Sequence, residues 1–155
     1  MVIIESKMRG VRARALQEFA ARAQSAVRIR GEVDILITSS ARLRYLNLRF
    51  RRKDAATDVL SFPATGDKYR AGDIAISGDM AAANARRLGH SSADELKILT
   101  LHGLLHLVGY DHELDSGEMA RKEACLRRSL GLPEALIERA EVRPDNATDK
   151  RRRRS

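Results

Sequence analysis

The chain has 155 residues and a net charge of +8; 43% of its residues are hydrophobic and 32% charged. That is about one domain's length, with enough apolar material for a core, which excludes a chain disordered throughout. Its longest mostly apolar stretch, Ile98 to Tyr110, has 13 residues and contains two histidines. A membrane span needs about 20 apolar residues, so a transmembrane helix is excluded. The N-terminus has no basic segment ahead of a long apolar run, and the single cysteine, Cys125, allows neither an internal disulfide nor a cysteine-based zinc site. These features read as a cytoplasmic globular protein.

Charge is unevenly spread. Residues 1–60 carry a net +7, residues 61–145 a net −3, and residues 146–155 a net +4. A basic front and tail around a mildly acidic middle suit a polyanionic partner, though a solubilising surface would look the same.

In chain order, Val2 to Glu5 is a short strand candidate. Val11, Ala15, Leu16, Phe19, Ala23 and Val27 keep helical spacing. Glu32 to Thr38 alternates and is rich in β-branched residues, a strand. Ser39 or Ser40 then caps a short helix to about Leu48, and RFRRKDAA follows as a loop. TDVLSFP and Asp73 to Ser77, joined by a glycine-containing turn, predict a hairpin. Met80 to Leu88 reads as a helix stopped by Gly89. Ser92 and Glu95 have capping-box spacing and open a helix to Val108, with Gly109 as terminator. Asp115 and Glu118 repeat that spacing before a helix to Leu130. A further short helix can follow Pro133, and DNATDKRRRRS at the end is polar and disordered in character. The expectation is an α+β fold: one domain over residues 1–143, with a small mixed β-sheet packed against several helices, and a disordered basic tail over 144–155.

Three of the four histidines lie within eleven residues, His102-Gly-Leu-Leu-His106-Leu-Val-Gly109-Tyr-Asp-His112. His102 and His106 are one helical turn apart and share a face. Gly109 ends the helix and lets the chain turn, so His112 can approach the same point from another side. Three imidazoles on one Zn²⁺ per chain leave a fourth tetrahedral position for water, the layout of a catalytic site on a central helix. Ordinary histidines on a half-buried helix are the bland alternative; the third histidine just past a helix stop weighs against it. His90 reads as a surface or capping residue, and Cys125 as small helix packing. The pattern HxxxHxxGxxH is also that of the metzincin peptidases, but their general base directly follows the first histidine, and here that position is Gly103.

The segment HGLLHLVGYDH, together with TDVLSFP at 57–63 and GDIAIS at 72–77, resembles the YbeY family of bacterial endoribonucleases over roughly residues 32–131. The resemblance implies a zinc-dependent, single-strand-specific endoribonuclease acting in 16S ribosomal RNA 3′-end maturation and ribosome quality control, with ribosomal RNA and ribosomal particles as partners. It places the metal ligands on His102, His106 and His112 and the family's functional arginine on Arg51. Where the family often has proline before the threonine, this chain has Ala55-Ala56.

The residues themselves agree in part. Arg42, Arg44, Arg49, Arg51, Arg52 and Lys53 gather six cations near Tyr45 and Phe50, and an arginine can fork onto a phosphate. With aromatics at 4%, a stacking platform of the RRM or OB type is not expected. Asp111 can orient a histidine or shape the helix-end turn. Asp58 and Asp73 read mainly as turn residues. Whether water or an RNA 2′-OH attacks the phosphodiester stays open. The rivals are a zinc metallopeptidase and a non-catalytic ribosome-assembly factor with a structural metal.

Overall fold

Alternating apolar residues at period two and at helical spacing take turns along the chain, and the structure follows them. The computed structural model describes residues 1–53, 57–111 and 114–133. In order these form β1 (Val2–Ile4), α1 (Ala13–Val27), β2 (Glu32–Thr38), α2 (Ser40–Arg51), β3 (Val59–Pro63), β4 (Arg70–Ser77), α3 (Gly78–Leu88), α4 (Ser92–Leu107) and α5 (Glu118–Ser129). The sheet order is β1-β2-β4-β3. β1 and β4 both run parallel to β2, while β3 pairs antiparallel with β4 as the predicted hairpin. The fold is therefore α+β with a small mixed sheet.

Register decides which side chains form the core. Ile35 and Ile37 of β2 stand beside Ile74 and Ile76 of β4, so one face of the sheet is a continuous branched-aliphatic surface. α4 packs on that face, flanked by α1, α3 and α5. Leu96, Ile98, Leu99, Leu101, Leu104 and Leu105 of α4 are all buried, an apolar surface around nearly the whole helix. The other face is thinner: Leu43 of α2 meets Leu60 and Ala75, with Leu46 and Phe62 beside them.

Several boundaries differ from expectation. α2 runs on to Arg51, so the first three residues of the expected loop are helical. The cause is visible in Phe50, whose ring reaches Phe62 and continues the helical row Leu43, Leu46 and Phe50 against the sheet. β4 starts at Arg70 because Arg70 already pairs with Glu32 of β2. Ser91, one residue before the expected cap, accepts the Asp94 N–H. Glu95 closes no capping box; it is fully buried and paired with His90, which is thus no surface residue. At α5 the Asp115 carboxylate accepts from Gly117 and Met119, while Glu118 accepts from Ser116. Cys125 is exposed and fills no packing position. No helix among the described residues is long and apolar enough to cross a membrane. The short helix expected after Pro133 and the basic tail, hence the boundary at 143, lie outside the described residues.

Candidate active site

His102 and His106 sit on the last two turns of α4, where the helix leaves the core. His102 is 5% exposed and His106 is half-buried. Their ring centroids are 4.7 Å apart, and the two Nε2 atoms approach to 3.0 Å. Two nitrogens on one tetrahedral zinc stand about 3.3 Å apart by simple trigonometry on a 2.0–2.1 Å bond. The pair is therefore already spaced for a shared ion.

Behind His102, Nδ1 lies 3.4 Å from Oε2 of Glu123 on α5. Glu123 is 1% exposed. A carboxylate accepting from Nδ1 fixes the tautomer that turns a bare Nε2 lone pair outward. The donor set thus fits a zinc ion: two imidazoles converging, one of them backed by a buried acid. His112, the third expected ligand, lies outside the described residues. Among the described residues no group of three metal-binding side chains is gathered.

The histidines open into a cavity of about 560 Å³ whose wall also includes Asn47 and Arg51 of α2, Lys53, Ser61 of β3 and Asp111. Arg51 reaches it from the C-terminal end of α2, where Arg52 takes a left-handed cap at φ 55°, its N–H bonding back to the Leu48 carbonyl and that of Lys53 to the Asn47 carbonyl. Arg51 Nη2 donates to the Ser61 carbonyl at 2.8 Å. That bond uses one of the five N–H donors of a guanidinium that lines the cavity.

Gly103 explains the missing peptidase base. A Cβ there would come within 2.9 Å of Ile74 Cγ2 and 3.2 Å of Ser61 Oγ. Its carbonyl accepts from that same Ser61 hydroxyl at 2.8 Å. The position faces the sheet, and α4 packs so closely there that no side chain fits. β3 is also poorly suited to pairing with a peptide. Asp58 and Ala64 bond across to β4, so by antiparallel alternation Val59, Ser61 and Pro63 turn their backbone to the free edge. On that edge Arg51 takes the Ser61 carbonyl, and Pro63 has no N–H to offer.

The structure brings three of the four expected site residues, His102, His106 and Arg51, to one cavity. Asp58 lines it too, with its carboxylate 3.4 Å from Asn84 Nδ2. Asp73 is elsewhere, in an exposed cluster with Arg70 and Asp34. Asp111 lines the cavity, and its carbonyl receives the Leu114 and Asp115 N–H groups, a turn role. Sequence reasoning missed Glu123, Asn47 and Ser61. Glu123 had a signal: it shares the inward face of α5 with Met119 and Leu126, and an acid on an apolar face needs a partner. Asn47 sits likewise one turn after Leu43, and both are buried.

Known proteins share this sequence and fold. The family model described as Endoribonuclease YbeY matches residues 2–131. A Koribacter versatilis protein named Endoribonuclease YbeY is 54% identical over 154 residues, covering 99% of this chain and all of that one. A Solibacter usitatus protein of the same name is 52% identical over 127 residues, covering 82% of this chain and 85% of its own length. Among solved structures, the solution structure of TM1509 from Thermotoga maritima superposes with a TM-score of 0.56 at 27% identity, covering 96% of this chain and 99% of that one.

Proposed function

Since the chain belongs to the YbeY endoribonuclease family, we propose that it is a zinc-dependent endoribonuclease that cuts single-stranded RNA in this cavity. The observation that carries the reading is the convergence of His102, His106 and Arg51 on one polar pocket. We place its substrate in ribosomal RNA at the 3′ end of 16S, on ribosomal particles in the cytoplasm, with a part in ribosome quality control.

His102 and His106, with His112, would hold the ion. When bound, zinc supplies Lewis acidity at the phosphodiester. The chain's own groups do the rest. Glu123 keeps His102 in the ligating tautomer. Arg51 presents N–H donors toward the scissile phosphate from a side chain tethered at Ser61, so little reorganisation is needed as charge builds on the phosphoryl oxygens. Lys53 adds positive charge at the rim, which draws a polyanion in.

A zinc peptidase is disfavoured by two features: the closed Gly103 position and the obstructed edge of β3. A casein digest in zinc buffer checks that rival, and robust proteolysis would displace the nuclease reading. The deciding experiment is cleavage of an end-labelled single-stranded 16S fragment by the wild type and by His102→Ala, purified identically. Cleavage by the wild type alone supports the reading. Equal cleavage by both assigns the activity to a contaminant or another site. No cleavage by either favours a non-catalytic assembly factor.

A further inference from the structure

The cavity accounts for Arg51 and the histidines but leaves the outer surface of α2 unexplained. From Ser40 to Lys53 the chain has six cations and no acid. On the same helix Tyr45, Leu48 and Phe50 are exposed, Phe50 by 61%. Its ring is nonetheless held in place. The Phe62 ring meets it at 5.6 Å and 68°, an edge-to-face contact, and the Arg49 guanidinium carbon lies 5.8 Å from its centroid. Arg49 also donates to the Tyr45 hydroxyl at 2.9 Å. Phe50 directly precedes Arg51, and Phe62 lies between Ser61 and Pro63; Arg51, Ser61 and Pro63 line the cavity.

We propose that Phe50 is a stacking platform for the base of a nucleotide adjoining the phosphate held by Arg51, and that α2, through Tyr45 and its arginines, carries the flanking single strand away from the cavity. This rests on the RNA-cleavage reading and deepens it by naming how the substrate strand is held. A supported aromatic ring beside a phosphate-binding arginine is the pairing of groups that single-stranded nucleic acid needs, because every base has a π-face and every nucleotide one anion. The run of cations without an acid complements that polyanion, and Asn47, Arg51 and Lys53 from the same run line the cavity itself. The low aromatic content predicted no platform. Yet three of the six aromatic residues, Tyr45, Phe50 and Tyr69, are more than half exposed, and Phe50 is the chain neighbour of the cavity-lining Arg51.

The chain has no tryptophan, so Phe50→Trp introduces a single indole, excited selectively over the tyrosines, at the proposed contact. Titration with a 2′-O-methyl single-stranded RNA should quench its emission, and an abasic residue walked along the oligomer should remove the quenching at one register. In parallel, Phe50→Leu should bind the RNA between about fivefold and a hundredfold more weakly than wild type. Its salt dependence should be unchanged, since no phosphate contact is lost. Emission that ignores RNA overturns the proposal. So does emission that responds instead to phosphatidylglycerol vesicles, which would mark a membrane-facing surface. If Phe50→Leu fails to fold, the tryptophan titration decides alone. Wild-type RNA cleavage with equal binding by Phe50→Leu removes the platform and leaves the nuclease; wild type that neither binds nor cleaves removes both.

Discussion

α4 and α2 deliver side chains to one cavity from opposite surroundings. α4 is apolar nearly all round, and ten of its sixteen residues are buried, His102 among them. α2 buries only Leu43 and Asn47 and turns its arginines outward. The metal side of the site is thus fixed by close packing, with Gly103 tight against Ile74 and Ser61 and Glu123 closing the back. The phosphate side hangs from an exposed helix end by the bond from Arg51 to Ser61. Ligands for a small ion must be held to tenths of an ångström by packing on every side, whereas a planar guanidinium fork needs only one tether, here at Ser61, to be aimed. Each helix has the burial its chemistry needs.

The largest effect should come from the rigid side. His106→Ala is expected to lose both bound zinc, read by elemental analysis, and RNA cleavage; retention of full cleavage would end the metal mechanism. Arg51→Glu should separate the two sides by keeping zinc while cleavage falls by about 10²–10³-fold, the usual cost of losing a donor aimed at developing charge. Glu123→Gln should weaken zinc, measured against a competing chelator, by about 10–100-fold. If it left affinity untouched, Glu123 would be a packing residue only. Gly103→Ala probes the packing itself and should cost about 1–3 kcal/mol in chemical denaturation as Ile74 is displaced.

The smallest effect concerns a group remote from both helices. Burial alone would raise the Asp34 carboxyl, but hydrogen bonds and charge from the N-terminal ammonium and Arg70 outweigh it and hold it below the usual carboxylate range. A pKa lowered on folding stabilises above the unfolded value of about 3.9 and is lost as pH falls through the folded one. Asp34→Asn should therefore unfold slightly more readily than wild type at neutral pH, and the difference in denaturant midpoint should vanish in strong acid.

Much of the fold was legible in one dimension. Glu32 to Thr38 alternates and is rich in β-branched residues, which marks both ends of β2, and Gly89 stops α3 with a left-handed φ of 75° as its position suggests. Errors arose where a distant partner overrode a local signal. The arginine run at 49–52 reads as loop from its composition, yet Phe50 finds Phe62 and the helix runs on. Glu95 looked like a capping acid, but His90 lies beside it once α3 and α4 meet, and a buried carboxylate takes the nearest donor.

The site divides along the same line. By itself the sequence determined what depends on spacing along one stretch of chain: the HxxxH pair on a shared helical face, the absence of a peptidase base after it, and the crowd of cations between Arg42 and Lys53. Only the tertiary structure decided what depends on elements far apart in sequence. Parallel pairing of β2 with β4 and the packing of α4 across them bring Arg51 to histidines more than fifty residues later, seat Glu123 behind His102, and close the edge of β3. Helical periodicity is set by bonds four residues long and can be read from the chain; these approaches depend on which faces the sheet register turns toward one another.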